Sequence, residues 1–357
     1  MAPVVGATGG APLDDVLAAA VVAAVGMAAV AWFTRRGRRK GDGLVRRGAA
    51  LASRISGLPV WAALPVLVGG ISMLTACFGY YWDVALHIDN GRDPGPFGNP
   101  SHWFVLVGLL GITASGFLSG LLTGSDPPPG AIRLGGLRFP VGGFLVFLCG
   151  AFALLGFPLD DLWHRLFGQD VTVWGPTHIQ MIAGASVPTL GLWVLLAESS
   201  RVEGLRERAR RLIRRGEPWV AGAFMIGLSA LQSEFDHGVP QFRLLYHPTL
   251  LMLAAGIGLV AARVRLGRWG ALQAALVFLV IRGAITLVVA PGFGHLTGHF
   301  PLYLAEALLV ELVAVAIAPA RTLRFGLAAG AAIGTLGLAA EWWWSSVWMP
   351  IPWPAEL

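Results

Sequence analysis

The 357 residues are 55% hydrophobic and 13% charged, with a mean hydropathy of +0.68. A chain this apolar is excluded from the soluble proteins of its length, and its net charge of +6 rests on arginines in short loops rather than on a nucleic-acid-binding surface. Its two cysteines, Cys77 and Cys149, lie inside apolar runs and exclude a disulfide framework or a CxxC metal motif, and its single lysine, Lys40, excludes a retinal Schiff base within a helix.

Apolar runs of roughly 18–25 residues recur, the length a helix needs to cross a bilayer core. No ten-residue alternation of the kind used by membrane β-barrels occurs. The expectation is an all-α, polytopic integral membrane bundle of about ten transmembrane helices with internal two-helix repeats. The predicted spans are 13–33, 58–81, 103–122, 139–157, 178–197, 218–233, 247–263, 270–290, 300–319 and 323–345. They form a single membrane domain over 1–357. It has an N-terminal helix (13–33), repeated hairpins (58–320), and a last helix with a Trp/Pro-rich outer tail (323–357). The first run lacks a preceding basic segment and reads as a retained helix rather than a cleaved signal.

The segment 35-RRGRRKGDGLVRRG-48 follows the first helix and belongs in the cytoplasm by the positive-inside rule, which leaves the N-terminus outside. Alternation then assigns every later loop. Of the 26 basic residues, all but Arg92, Arg165, Arg243 and Arg282 fall on the inside. The chain is therefore expected in the plasma (inner) membrane, multi-pass, with its N-terminus extracytoplasmic. The eight histidines sort the opposite way, two to each outside hairpin: His87 and His102, His164 and His178, His237 and His247, His295 and His299.

The first hairpin reads 82-WDVALHIDNGRDPGPFGNPSHW-103 and the second 160-DDLWHRLFGQDVTVWGPTHIQM-181. Each places Asp and His four residues apart (Asp83/His87, Asp160/His164), which stacks them on one helix face. Each continues through a loop with an internal Asp, Asp93 or Asp170. Each closes on Pro-Ser/Thr-His, a helix-start signal carrying His102 or His178. The Asp, its following His and the His of the next helix are thus predicted to converge on one ion. One carboxylate and two imidazoles suit copper, iron or zinc, with open positions for water, oxygen or substrate. Asp93 and Asp170 are candidate outer partners that would orient an imidazole through its other nitrogen. In the third hairpin, 233-SEFDHGVPQFRLLYHP-248, Ser233 replaces the first Asp. The fourth, 291-PGFGHLTGHFPLYLAE-306, has His295 and His299 four apart and Glu306 further on. His237, His247, His295, His299 and Glu306 are possible further ligands.

At residues 82–103 and 160–181 the chain resembles the membrane-embedded C subunit of the copper-dependent methane and ammonia monooxygenases. The family pattern is Asp-x-x-Trp-His, an Arg-Asp pair, then Pro-Ser-His at a helix start. Asp160, Trp163, His164, Asp170, Pro176 and His178 match it, with Gln169 for Arg and Thr177 for Ser. Asp83, His87, Arg92, Asp93, Pro100, Ser101 and His102 match it too, with Leu86 for Trp and a loop two residues longer. The resemblance implies copper on the Asp and the two His, partner subunits in the membrane or periplasm, and oxidation of a small molecule. The chain departs from the family in having more predicted helices and no soluble cupredoxin-like domain.

Arg282 falls mid-span in 275-ALVFLVIRGAITLVV-289, where a charge needs a partner; Glu306, Glu311 and Glu341 on later helices are the candidates. The tail 341-EWWWSSVWMPIPWPAEL-357 reads as an interfacial aromatic belt.

The leading expectation is a copper-binding membrane oxidoreductase subunit, monooxygenase-like, in contact with lipid and acting on a small apolar substrate at the outer leaflet. Asp160, His164 and His178 form its first site, and Asp83, His87 and His102 a second; no catalytic residue is assigned. The alternatives are a membrane protein that transports, stores or senses copper or zinc without redox chemistry, a haem-binding bundle, or a scaffold subunit. Ligands are sparse in the inner half of the spans, which disfavours transport, and the carboxylate beside each first His favours a bare ion over haem.

Overall fold

The structure is a computed structural model that describes residues 13–40, 43–91, 95–124, 127–168 and 172–356, with the side chains of 30 and 33–40 outside that description. Among the described residues it is helical throughout, apart from one two-stranded hairpin. In chain order the elements are α1 (Leu13–Lys40), α2 (Leu44–Ser56), α3 (Val60–Asn90), α4 (Pro100–Leu122), β1 (Ile132–Leu134), β2 (Leu137–Phe139), α5 (Val141–Phe167) and α6 (Pro176–Ser200). There follow α7 (Glu207–Ser229), α8 (Ser233–Asp236), α9 (Tyr246–Leu266), α10 (Gly270–Leu287), α11 (Leu304–Ala316), α12 (Thr322–Ala332) and α13 (Leu338–Trp348). A π-helical segment, Ile333–Gly337, joins α12 to α13, and another, Val288–Gly292, extends α10.

Seven of these helices are long and apolar enough to cross a membrane: α3, α4, α5, α6, α9, α10 with its extension, and α12 continued through α13. The chain is a multi-pass membrane protein. A helix stands at each of the ten predicted segments, but those at 13–33, 218–233 and 300–319 are not among the seven. α7 begins with the charged run Glu207–Glu217, and α11 is only 13 residues long because residues 295–303 run as irregular chain.

Two helices outrun their predicted ends. α3 continues from 81 to Asn90 and α5 from 157 to Phe167. Hydropathy falls at Asp83 and Asp160, but nothing there breaks a helix. What stops each is a glycine: Gly91 at φ 74° and Gly168 at φ 85°, a region closed to most side chains. The candidate ligands consequently sit on regular helix rather than in loops. α2, by contrast, was expected only as a basic loop. Its Leu44, Leu51 and Ile55 are exposed on one face, as in a helix lying along an interface. Between α4 and α5 the chain forms the β1–β2 hairpin, turning at Gly135 and Gly136, both at positive φ.

The chain divides into two compact units, Met1–Asp83 with Asn90–Ile213, and Val84–Asp89 with Arg214–Leu357. In the first, α5 packs between α4 and α6, and α1 lies against α4 and α5. Small residues set the closeness. A Cβ on Gly116 would stand 2.1 Å from the Phe147 nitrogen, and one on Gly142 would stand 2.3 Å from the Leu195 nitrogen. The lower end of the α5–α6 pair is tied by Glu198, whose two oxygens accept the Val141 and Gly142 amides at 2.8 and 3.0 Å, closing the start of α5. In the second unit α9, α10 and α11 pack on one another, with Phe278, Tyr303, Val310 and Phe325 fully buried. The same device recurs there: Glu311 accepts the Trp269 and Ala271 amides at the start of α10, and Glu341 accepts those of Leu302 and Tyr303 at the start of α11.

Candidate metal centres

Asp160 and His164 stand one turn apart on one face of α5. α6 starts with Pro176 in its first turn, where the missing N–H leaves no bond unmade. The next residue, Thr177, donates its hydroxyl to Asp160 Oδ1, and this bond clamps the start of α6 to the end of α5. His178 then follows with Nε2 3.3 Å from Asp160 Oδ1, while His164 Nε2 lies 3.3 Å from Asp160 Oδ2. The two imidazole centroids are 5.6 Å apart.

The first hairpin repeats the arrangement. Asn99 caps α4 by accepting the Ser101 amide, and Pro100 opens the helix. Asp83 Oδ1 accepts from the Ser101 hydroxyl at 2.7 Å and from Asn99 Nδ2 at 2.9 Å, and His102 Nε2 lies 3.0 Å from the same oxygen. α3 carries His87 one turn beyond Asp83, and one ligand atom from each of Asp83, His87 and His102 lies within 4.8 Å of the others; the same holds for Asp160, His164 and His178. The His102 ring lies 6.0 Å from that of Phe157, one turn before Asp160 on α5.

Hydrogen bonding decides which imidazole nitrogen faces the carboxylate. His178 Nδ1 is 2.7 Å from the Thr172 carbonyl oxygen, and His102 Nδ1 is 3.1 Å from that of Pro96. A carbonyl only accepts, so each Nδ1 carries a proton, and each Nε2 faces the carboxylate as the lone pair of a neutral ring or the second N–H of an imidazolium. With the ring neutral, two acceptors face each other at 3.0–3.3 Å and need a shared cation, a proton or a metal ion. The spacing fits a metal ion. Two donors about 2.0 Å from one ion are about 3.3 Å apart at a tetrahedral angle and about 2.8 Å apart at a right angle. The donor set of one carboxylate and two Nε2-ligating imidazoles fits copper, iron and zinc.

The expected outer partners Asp93 and Asp170, with Arg92, lie outside the described residues. The orienting contacts seen belong to groups the sequence reading used only as helix-start signals or passed over: the hydroxyls of Ser101 and Thr177, and the carbonyls of Pro96 and Thr172. The signal was present, since a hydroxyl residue directly precedes the histidine in both hairpins.

Among the described residues, only the first two hairpins gather three ligand groups. In the third, His237 donates through Nδ1 to the Ser233 carbonyl at 2.8 Å. His247 is stacked flat on Phe235, with its Nδ1 accepting the Trp353 indole N–H at 2.9 Å. In the fourth, His295 pairs with Asp89 at 2.9 Å, and His299 sits edge-on against Trp348 with its amide on the Asp236 carbonyl. Glu306 is wholly buried on α11 and belongs to neither ligand group. Burial pulls His237 down to about 4 and shifts His299 in the same direction.

The expected partners of Arg282 are corrected. Its guanidinium meets Asp236 at 3.1 Å, both side chains being 2% exposed, and lies 5.2 Å over the Phe300 ring. Glu311 is engaged by Arg263 and the start of α10, and Glu341 by the start of α11. Asp236 was overlooked because it sits in a polar hairpin sequence, which α8 folds inward. The tail likewise turns back: Trp353 reaches His247, so it is more than a belt at the interface.

Compared with protein-family models, curated proteins and solved structures, the chain matches none.

Proposed function

We propose that the chain is a copper-binding subunit of a monooxygenase-like membrane oxidoreductase, acting on a small apolar substrate at the outer leaflet. In this reading ten spans and a duplicated helical hairpin place both centres on the extracytoplasmic side of the plasma membrane. The observation that carries it is the matched pair of Asp-His-His sets, in each of which the second histidine has its Nδ1 tied to a loop carbonyl and its Nε2 held at the carboxylate.

Bound copper would supply one-electron redox chemistry and oxygen activation. The chain's own residues do the rest. Asp160 and Asp83 offset cationic charge in a low-dielectric setting. Thr177 and Ser101 choose the carboxylate oxygen that turns toward the imidazole, and the Thr172 and Pro96 carbonyls hold the ring tautomer. Leu166 and Phe167, two and three residues beyond His164, are about two-thirds exposed and offer an apolar approach from lipid.

The test is metal analysis of protein purified gently in detergent. About one or two copper ions per chain are expected, with His164→Ala/His178→Ala removing one equivalent and His87→Ala/His102→Ala removing the other. Protein that holds no transition metal, and takes none up, sinks the proposal; zinc or iron in place of copper overturns the copper assignment and leaves the sites. Copper that stays fully reduced or oxidised across all accessible potentials favours metal handling over redox chemistry.

A further inference from the structure

Buried acids among the described residues each have a polar partner, with one exception. Glu198, Glu311 and Glu341 each accept two backbone amides at a helix start, and Glu311 also meets Arg263. Glu217 is paired with Arg265 and Asp236 with Arg282, and Glu234 accepts the Gln241 amide. Glu306 is 0% exposed, and neither of its carboxylate oxygens has a hydrogen-bond partner among the described residues.

Its surroundings are specific. The side chain lies across Gly337, where a Cβ would stand 2.9 Å from Glu306 Cγ and 3.3 Å from Oε1. Gly337 closes the π-helical segment Ile333–Gly337, and Glu341 follows it by four residues. Single π turns inside α-helices recur at functional sites. Glu306 therefore rests on the helix face that carries Glu341, whose Oε1 accepts the Leu302 and Tyr303 amides at 3.1 and 2.7 Å. Tyr303 itself is kept at φ 58° by that bond and by its hydroxyl contacts with Ser229 and Gln232.

Ionisable groups on the elements packed around α11 have other engagements. On α10 Arg282 faces Asp236; on α9 Arg263 faces Glu311, Arg265 faces Glu217, and His247 is bonded by Trp353. Arg324 of α12 is exposed. Among the described residues no ion pair to Glu306 is found, and neither of its oxygens is hydrogen-bonded. A charge buried without a partner in hydrocarbon is too costly to persist, so the group takes up a cation or neutralises. Among the described residues Glu306 belongs to no group of three metal-ligating side chains, whereas a proton needs only one oxygen.

We propose that Glu306 is a proton-binding site within the second unit, a carboxyl that holds its proton at neutral pH beside the amide-bonded Glu341. The site is independent of the metal centres and does not rest on the copper reading.

The experiment is infrared difference spectroscopy on the full chain in lipid nanodiscs at neutral pH. Wild type minus Glu306→Gln should show loss of one carboxylic-acid C=O band that shifts in D2O. Wild type minus Glu311→Gln should show loss of a carboxylate band instead. A carboxylate band lost in the Glu306→Gln difference overturns the proposal. Should Glu306→Gln fail to fold, Glu306→Asp keeps the group, and its acid band should persist at a displaced frequency; loss of that band also overturns it. Replacing sodium by choline at constant ionic strength should leave the melting temperature unchanged, and a sodium-dependent rise that Glu306→Gln abolishes would assign the site to a metal cation. Copper content should be unchanged in every variant.

Discussion

Thr177 and Ser101 each hold one oxygen of the candidate metal-binding carboxylate by a single hydroxyl, while the next residue supplies an imidazole to the same group. Thr177→Val keeps the shape and removes the donor, freeing Asp160 to rotate. Metal affinity at that centre should fall about 10–100-fold, as for other outer-partner losses, measured by chelator competition; an unchanged affinity would show that the carboxylate is placed by packing alone. His237 gives a prediction of another kind. It is 6% exposed and its folded pKa, about 4, lies below the ordinary 6.5. In the window between those values the unfolded chain binds the extra proton, so His237 contributes stability that is complete above pH 6.5 and lost as pH falls through 4, about 3 kcal/mol in all. The melting temperature in detergent should drop over that window, and His237→Gln should flatten the dependence. The reverse slope, with stability rising on acidification, would refute it. The hydroxyls could have been picked out from the chain, since they precede both histidines. The depressed histidine could not, because its burial depends on neighbours far away in sequence.

Glutamates that close the starts of other helices are the recurring device at the level of elements. Glu198 spans from the end of α6 to the start of α5 and satisfies two amides that would otherwise be orphaned in a buried setting. Glu198→Ala should destabilise the protein by about 1–3 kcal/mol, read as a lower melting temperature. Glu198→Gln, which still accepts, should lose less; equal losses would point to packing rather than capping. Helix ends show the same division between local and distant causes. Pro100 and Pro176 start α4 and α6 as their sequence implies. The ends of α3 and α5 were set too early at the fall in hydropathy, because hydropathy reports on solvent preference and not on backbone geometry. Gly91 and Gly168 were the stop signals. Gly168→Ala forces a side chain into positive φ and should cost about 1 kcal/mol or more, again by thermal unfolding.

For the whole molecule, the proposed alternation of ten spans makes a prediction about sidedness: a reporter active only outside the cytoplasm should work when fused after residue 168 and fail when fused after residue 204. The opposite pattern would invert the site's location. Membrane class and helical content were legible from the chain, because transfer into hydrocarbon is a sum over residues and needs no knowledge of neighbours. So was the pairing of Asp83 with His87 and of Asp160 with His164, since one helical turn is local geometry. Contacts between distant segments were decided by the tertiary structure. It closed two hairpins into ligand sets and gave the other histidines to Phe235, Trp348, Trp353 and Asp89. It turned Asp236 inward to Arg282 and left Glu306 buried without a partner among the described residues. A side chain's charge state and usefulness depend on what packs against it, and that is settled only when helices far apart in sequence meet.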